Sequence, residues 1–351
     1  MKKQFLTFFI GLSLFNLLSA QIPHKVMICG VCRDVADRVP YSMRIMETIG
    51  NLFEDYRIIV YENNSKDATP RLLHDWQDRN PKVVALSEHI DKKTLEKIVI
   101  NRLDDGHYYR PELISRARNI VLDRALSDSY KEFAYVIWID MDFKLEPNYA
   151  GITEVFEATR EWDAVFAYGT DPHHKFWDWY AFRDHRCPIG SELLGNAWWY
   201  LPKSLVLDSK SDWYPVYSAF GGCGIYKKDS IRDCQYSALV TEDLALFSQG
   251  VIEKYKHTNG IVQKYLKDTK NIKEYINLSH PSPQLPNITD PSIGFYTLNN
   301  HGIVWKMSSF VYKYPSVCEH VTFHASMIIR GHDKLFINPR LAFHYGDFIT
   351  Q

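Results

Sequence analysis

The sequence predicts an α/β fold built on a twisted, mostly parallel sheet flanked by helices, and three observations carry that expectation. Strand-like and helix-like patterns alternate over roughly the first 170 residues, as in βαβ units. The run Phe133-Ala-Tyr-Val-Ile-Trp-Ile139 is aromatic and β-branched and too short for a separate helix, so it reads as a central strand covered on both faces. It ends abruptly in Asp140-Met-Asp142, two carboxylates at the carboxyl end of a strand, where ligands collect in open α/β sheets.

Taken in order, Lys25–Cys32 reads as the first strand, Tyr41–Phe53 as an amphipathic helix and Arg57–Glu62 as a second strand entering a turn. A helix over Thr69–Arg79 follows, with Thr69 and Pro70 placed to start it. Next come a strand at Lys82–Ser87, an insertion rich in charge, a helix at Glu112–Leu126, the Asp140 strand and a strand at Asp163–Tyr168. These elements predict right-handed crossovers and a mostly parallel sheet ending with the strand at 163–168. The second half carries Trp and Tyr clusters, Gly-Gly and Pro-containing loops, and a Pro- and Asn-rich stretch, Ser279–Ile293, that reads as a long surface connection. No internal repeat is present.

With 351 residues and 46% hydrophobic content the chain can bury one large core or two modest ones, and no low-complexity segment argues for disorder. A formal net charge of −1 without a Lys/Arg-rich run argues against a sequence-independent nucleic-acid binder, which needs a basic surface. The 22 Tyr and 9 Trp pack cores in the ordinary case, and they also suit a partner offering apolar faces and hydroxyls, such as a sugar.

At the N-terminus, Lys2-Lys3 precede the apolar stretch Phe5–Leu18, and Ser19-Ala20 supply small residues ahead of Gln21. Residues 1–20 therefore read as a signal peptide cleaved after Ala20, or as a signal anchor. No later stretch is long and apolar enough to span a bilayer, so no membrane span is expected after cleavage. The expected location is the lumen of the secretory pathway (endoplasmic reticulum or Golgi) or outside the cell, and the periplasm if the source is bacterial. In those compartments Cys29, Cys32, Cys187, Cys223, Cys234 and Cys318 become potential disulfide partners, in a pairing the sequence does not select. Cys29-Gly-Val-Cys32 lacks a second C-x-x-C to complete a zinc cage. Asn63, Asn277 and Asn287 each begin an N-x-Ser/Thr sequon.

The strand-end pair Asp140 and Asp142 is tolerable chiefly with a divalent cation between the two carboxylates, and oxygen ligands favour Mg²⁺ or Mn²⁺. The polar loop Tyr61-Glu-Asn-Asn-Ser-Lys-Asp-Ala-Thr69 follows the second strand, where a nucleotide can be held or an ordinary Asx-rich turn formed. On the helix ahead of the Asp140 strand, Leu113, Ala117, Ile120 and Val121 form an apolar stripe, while Arg116, Asn119 and Asp123 share another. Arg116 and Arg118 both offer planar guanidinium forks suited to a diphosphate.

Together, the first-strand entry, the Glu62-Asn-Asn-Ser-x-Asp67 loop, Arg116-x-Arg-Asn119 and Ile139-Asp-Met-Asp142 resemble the nucleotide-sugar half of GT-A glycosyltransferases, Asp140-x-Asp142 resembling their DxD motif. Within that Rossmann-like fold the chain is similar to the fungal capsule-associated α-1,3-mannosyltransferases, which have a Tyr-Glu-x-x-Ser-x-Asp-x-Thr loop and an Arg-Asn helix in the same order. The likeness covers about residues 25 to 345 and departs from the fungal pattern in its full Asp-Met-Asp, which leaves the donor sugar open.

The resemblance implies residues 21–170 as the nucleotide-sugar-binding half and 171–351 as the half that binds acceptor and completes the metal site, within one domain. It implies Asp140, Asp142 and His344 as metal ligands, and Glu62, Asn64, Asp67, Arg116, Asn119, Gly221 and Gly222 around the donor. The glycines lie in Ser218-Ala-Phe-Gly-Gly-Cys-Gly-Ile-Tyr226, which resembles the glycine-rich loop of the fold. Glu319, in a Cys318-Glu-His segment expected to precede a helix, resembles the acidic motif near the acceptor and is the candidate general base. Asp178, in Trp177-Asp-Trp-Tyr180, is placed to bind acceptor hydroxyls unless those aromatics only pack a core. The expected activity is metal-dependent transfer of a hexose from a nucleotide-diphosphate sugar to a glycan or glycoprotein hydroxyl. A base at Glu319 implies inversion and the fungal family implies retention, so the stereochemistry stays open. The same carboxylates suit a metal-dependent nucleotidyltransferase or phosphohydrolase, and a secreted carbohydrate-binding protein with an inactive GT-A fold is the alternative outside catalysis.

Overall fold

The computed structural model describes residues 21–99, 110–270, 276–277, 296–299, 302–305 and 317–345. The signal segment 1–20 and the Ser279–Ile293 connection lie outside the described residues.

In chain order the elements are β1 (Ile22–Cys32), α1 (Val39–Gly50), β2 (Phe53–Asn63), α2 (Thr69–Arg79), β3 (Val83–Glu88), α3 (Lys92–Ile98), α4 (Arg110–Leu126), β4 (Tyr135–Ile139), α5 (Ala150–Glu157) and β5 (Ala164–Thr170). The second half adds α6 (Ser191–Leu194), β6 (Tyr214–Pro215), β7 (Cys223–Lys227), α7 (Glu242–Tyr255), α8 (Gly260–Thr269), β8 (Ile276–Asn277), β9 (Tyr296–Asn299), β10 (Gly302–Trp305), α9 (Glu319–Ile329) and β11 (Leu335–His344). The segment expected to precede a helix is itself helical, because Glu319 opens α9.

One eight-stranded sheet runs β3-β2-β1-β4-β7-β5-β11-β6, and β8, β10 and β9 form a small antiparallel sheet. β3, β2, β1 and β4 are mutually parallel, as the alternating pattern predicts. β5 runs in the same direction as β4, so the mostly parallel sheet expected through residue 168 is present, with β7 from the second half inserted antiparallel between β4 and β5. The Cys-Gly-Ile-Tyr-Lys sequence of β7 is too short and too close to the Gly-Gly turn to announce itself as a central strand.

Both faces of the sheet are buried. Along β1, Val26 and Ile28 face one core with Ile45, Ile49, Leu73 and Trp76 of α1 and α2. Met27 and Cys29 face the other with Ala117 and Val121 of α4, Leu244 of α7 and Phe323 of α9. β4 divides the same way, with Ile137 and Ile139 on the first face and Val136 and Trp138 on the second. A strand buried on both sides in this manner leaves only its carboxyl end open to a ligand. Among the described residues, no helix is long and apolar enough to cross a membrane.

Candidate functional site

β1 and β4 are parallel neighbours, with Ile28 paired to Ile137, so their carboxyl ends and the loops that follow open on the same edge. The β4 end is fixed from behind by the Phe220–Cys223 turn, where the Asp140 amide donates to the Gly222 carbonyl at 3.0 Å. Gly222 has φ +89°, and a Cβ there would lie 2.2 Å from Phe143 Cζ, so only glycine lets the turn come this close. The Gly221 amide donates to Asp178 Oδ2 at 2.9 Å.

A cleft of about 710 Å³ opens above these ends, and Asp140, Asp142, Asp178 and Glu319 all line it. Asp140 is held on both oxygens, Oδ1 by Arg118 Nη2 at 3.2 Å and Oδ2 by the Tyr345 hydroxyl at 2.8 Å. Asp142 differs, since its Oδ1 is buried and has no hydrogen-bond partner among the described residues. Burial and the neighbouring Asp140 charge push its carboxyl up to about 6, against the opposing pull of Arg38 and Arg110. Arg38 Nη1 donates to the Asp142 carbonyl at 3.1 Å. Burial, aided by the Asp140 and Glu319 charges, also raises Asp178 to about 6, against the Gly221 amide that favours its anion.

Deeper in the cleft, the Arg118 guanidinium stands between Asp140 and Glu319, its Nε 3.2 Å from Glu319 Oε1. Phe220, Trp138 and Tyr236 surround it at 4.9, 5.2 and 5.7 Å from their ring centres. Burial alone works against its charge, and the two carboxylates outweigh that effect and keep it protonated.

The remaining residues named from sequence are held elsewhere. His344 Nδ1 lies 2.7 Å from Thr170 Oγ1, and His344 does not line the cleft, while the next residue, Tyr345, does. Neighbours along an extended chain point to opposite sides, so a one-residue step decides which side chain faces Asp140. Glu62 accepts from Ser87 Oγ and from the Ser65 amide. Asn64, at φ +56°, exchanges hydrogen bonds with the Ile90 backbone. Asp67 accepts from the Ala36 and Thr69 amides, both at 2.9 Å. Arg116 forks onto Glu88 at 2.8 and 2.9 Å, and Asn119 clamps the Tyr236 backbone. None of these five, nor Gly221 or Gly222, lines the cleft, and of the polar loop after β2 only Asn63 does.

Sequence reasoning passed over Arg33, Arg38, Arg110 and Tyr345, which line the cleft. Arg33 and Arg38 follow the carboxyl end of β1, so the rule that points to Asp140 could have found them. The disulfide expectation is corrected, since all six cysteines are free. Cys29, Cys223, Cys234 and Cys318 are buried in the core, and β1 itself directs Cys29 and Cys32 to different surroundings.

Among the described residues, no group of three or more His, Cys, Asp or Glu side chains could by itself hold a metal ion. A magnesium-like ion does not need one, because it keeps waters and takes one or two carboxylates together with substrate phosphates. The partnerless Asp142 oxygen beside Asp140, with arginines at the rim, fits that arrangement.

No protein-family model matches the chain, and no curated protein is a significant match. The likeness to the fungal capsule-associated family therefore rests on its motifs alone. Among solved structures the similarities are of low identity and low TM-score. The mannosyltransferase PcManGT from Pyrobaculum calidifontis, in complex with GDP-Man and Mn²⁺, is 13% identical with a TM-score of 0.36, over 66% of this chain and 53% of that one. S. aureus TarS 1-349 in complex with UDP-GlcNAc is 12% identical with a TM-score of 0.35, over 66% and 53%. Glucosyl-3-phosphoglycerate synthase from Mycobacterium tuberculosis is 14% identical with a TM-score of 0.29, over 60% and 58%. The chain thus spans little more than half the length of each, and their ligands are properties of those enzymes.

Proposed function

We propose that the cleft binds a nucleotide-diphosphate sugar with Mn²⁺ or Mg²⁺ and transfers its hexose to a hydroxyl of a glycan or glycoprotein. The carrying observation is the pairing of an unsatisfied acid with nearby arginines: among the described residues Asp142 Oδ1 has no partner, and Arg33, Arg38 and Arg110 line the same cleft, Arg33 and Arg38 beside Asp34 and Asp37. Asp140 and Asp142 would hold the ion, which when bound offsets the negative charge of the diphosphate.

The chain's own residues supply the remaining chemistry. Arg38 and Arg110 face the Asp142 end, where guanidinium forks suit diphosphate oxygens and stabilise charge developing on the leaving group. Arg118 fixes Asp140 and Glu319 relative to each other. Glu319 and Asp178, which line the same cleft, accept hydrogen bonds from acceptor hydroxyls, and Glu319 is the proposed proton acceptor. The likeness in fold to known glycosyltransferases agrees with this reading without selecting a sugar.

We extend the proposal to the lumen of the secretory pathway, on the strength of the N-terminal pattern. In the folded chain Asn63 is buried, with its amide bonded to Asn64, so glycosylation at that sequon is not expected.

The test is release of nucleoside diphosphate from UDP- and GDP-sugars by the full chain, with and without Mn²⁺, alongside Asp140→Ala and Asp142→Ala. Metal-dependent turnover lost in both variants supports the proposal. Metal-independent turnover, or turnover unchanged in the variants, contradicts it.

A further inference from the structure

Two side chains at the deep end of the cleft hold polar atoms that the protein does not satisfy. Arg118 and His320 are 4% and 3% exposed, yet among the described residues Arg118 Nη1 and both ring nitrogens of His320 have no hydrogen-bond partner. A buried polar atom left alone costs about 1–3 kcal/mol, so three in one place call for a ligand. Both residues line the cleft, as does Glu319, whose Oε1 lies 3.7 Å from His320 Nε2, beyond hydrogen-bond reach.

We propose that Arg118, His320 and Glu319 form a hydroxyl-recognising subsite that takes the acceptor sugar of the transfer reaction, a role that rests on the glycosyltransferase reading. The charge balance excludes an anion. One guanidinium faces two carboxylates, Asp140 and Glu319, and burial together with the Arg118 charge keeps His320 neutral. A hydroxyl both donates and accepts, so it can accept a hydrogen bond from Arg118 Nη1 or the protonated ring nitrogen and donate one to the bare ring nitrogen or to Glu319. Phe220 stacks on the His320 ring at 4.0 Å and fixes its plane, so the nitrogens are held in place before ligand arrives. The site differs in kind from the arginine rim near Asp142, which suits phosphate. His320 binds the acceptor hydroxyl here, with Glu319 the group that takes the proton.

The experiment titrates the full chain with methyl α-mannoside, methyl α-glucoside, methyl β-galactoside and, separately, inorganic phosphate, following the His320 ring nitrogens by NMR. His320→Phe is titrated in parallel by calorimetry, with thermal denaturation to confirm that it folds. At least one glycoside should shift the wild-type His320 signals saturably, and His320→Phe should bind it about tenfold or more weakly, the equivalent of one hydrogen bond. Phosphate moving those signals in place of the glycosides overturns the proposal. So does a His320 ring that no glycoside perturbs, which the wild-type spectrum reports even if the variant fails to fold. A glycoside shift at His320 in a chain that binds no nucleotide sugar would keep the hydroxyl subsite and remove the transferase reading.

Discussion

Two polar segments follow β2 and β4, parallel strands on either side of β1, and they have opposite fates. The loop after β2 holds Glu62, Asn64 and Asp67, and every one of these side chains is spent on the protein itself, tying Ser65, Ile90, Ala36 and Thr69 into place. The segment after β4 holds Asp140 and Asp142, and there one carboxylate oxygen is left without a partner beside a second carboxylate. Strand-end position and residue type are alike in the two. What separates them is closure: a hydrogen-bond network that closes on itself makes a brace, and one that stays open makes a site.

The widest separation should come from substitution in the open segment. Asp142→Asn should lower nucleotide-sugar turnover about 100-fold or more, since it removes charge that a bound cation requires. It should leave the thermal midpoint equal or higher, because a buried carboxylate repelled by its neighbour is replaced by a neutral group. Steady-state rates and thermal denaturation of the same preparation check both halves. A lowered midpoint with unchanged rate would make Asp142 another brace.

In the closed segment the effect should be reversed. Asp67→Ala frees two amides and should cost roughly 1–3 kcal/mol in urea unfolding, with nucleotide-sugar affinity unchanged in the protein that remains folded. A specific loss of affinity at full stability would put the β2 loop back in the donor site. Gly222→Ala should cost a similar amount, since the new Cβ meets Phe143 and takes up a left-handed backbone at φ +89°.

The acid response sharpens the comparison between cleft and core. His324 is buried, bonded to Ser218 and Tyr226, and lowered to about 3 by burial and the Arg118 charge. Its folded pKa lies below the unfolded value of 6.5, so the unfolded chain binds the extra proton, and stability present above pH 6.5 is lost as pH falls toward 3. His320 acts with the same sign. Asp178, raised to about 6 from 3.8, acts with the opposite sign, its stabilisation being lost as pH rises from about 4 to 6. The net expectation from pH 7 to 5 is a loss of up to about 1.4 kcal/mol per pH unit for each histidine, offset in part below pH 6 by Asp178 and by Asp142, whose carboxyl is likewise raised to about 6. Urea unfolding at pH 7, 6 and 5 measures it, and His324→Gln should flatten the slope.

The smallest effect belongs to Arg116→Ala. Its pair with Glu88 is about one-third exposed on each side, so stability should fall by only about 0.5–1 kcal/mol and donor affinity not at all.

Much of the fold was legible because local pattern and tertiary role agree there. Helix α2 forms over the very residues whose polarity and Pro70 predict it, and β4 is buried on both faces as its apolar run requires. β7 was not legible, because five residues joining the two halves across the sheet carry no sign of which strands they will part. In the site, Asp140, Asp142, Asp178 and Glu319 converge from β4, the loop after β5 and α9. The choices of Arg116 over Arg118 and His344 over Tyr345 turn on which face of a helix or strand points inward. Helical spacing groups Arg116 with Asn119 as the polar stripe, yet Arg118 is the one buried, because carboxylates on β4 and α9 neutralise it there. That compensation is tertiary, and no window along the chain contains it.

The most direct test of the distinction between open and closed segments is calorimetric titration of the full chain with UDP-, GDP- and CMP-sugars, with and without Mn²⁺, beside Asp142→Asn and Asn64→Ala. The account predicts Mn²⁺-dependent binding of one nucleotide sugar, abolished in Asp142→Asn and retained in folded Asn64→Ala. Binding that survives in Asp142→Asn, or that no nucleotide sugar shows with the folded wild-type chain, would contradict it.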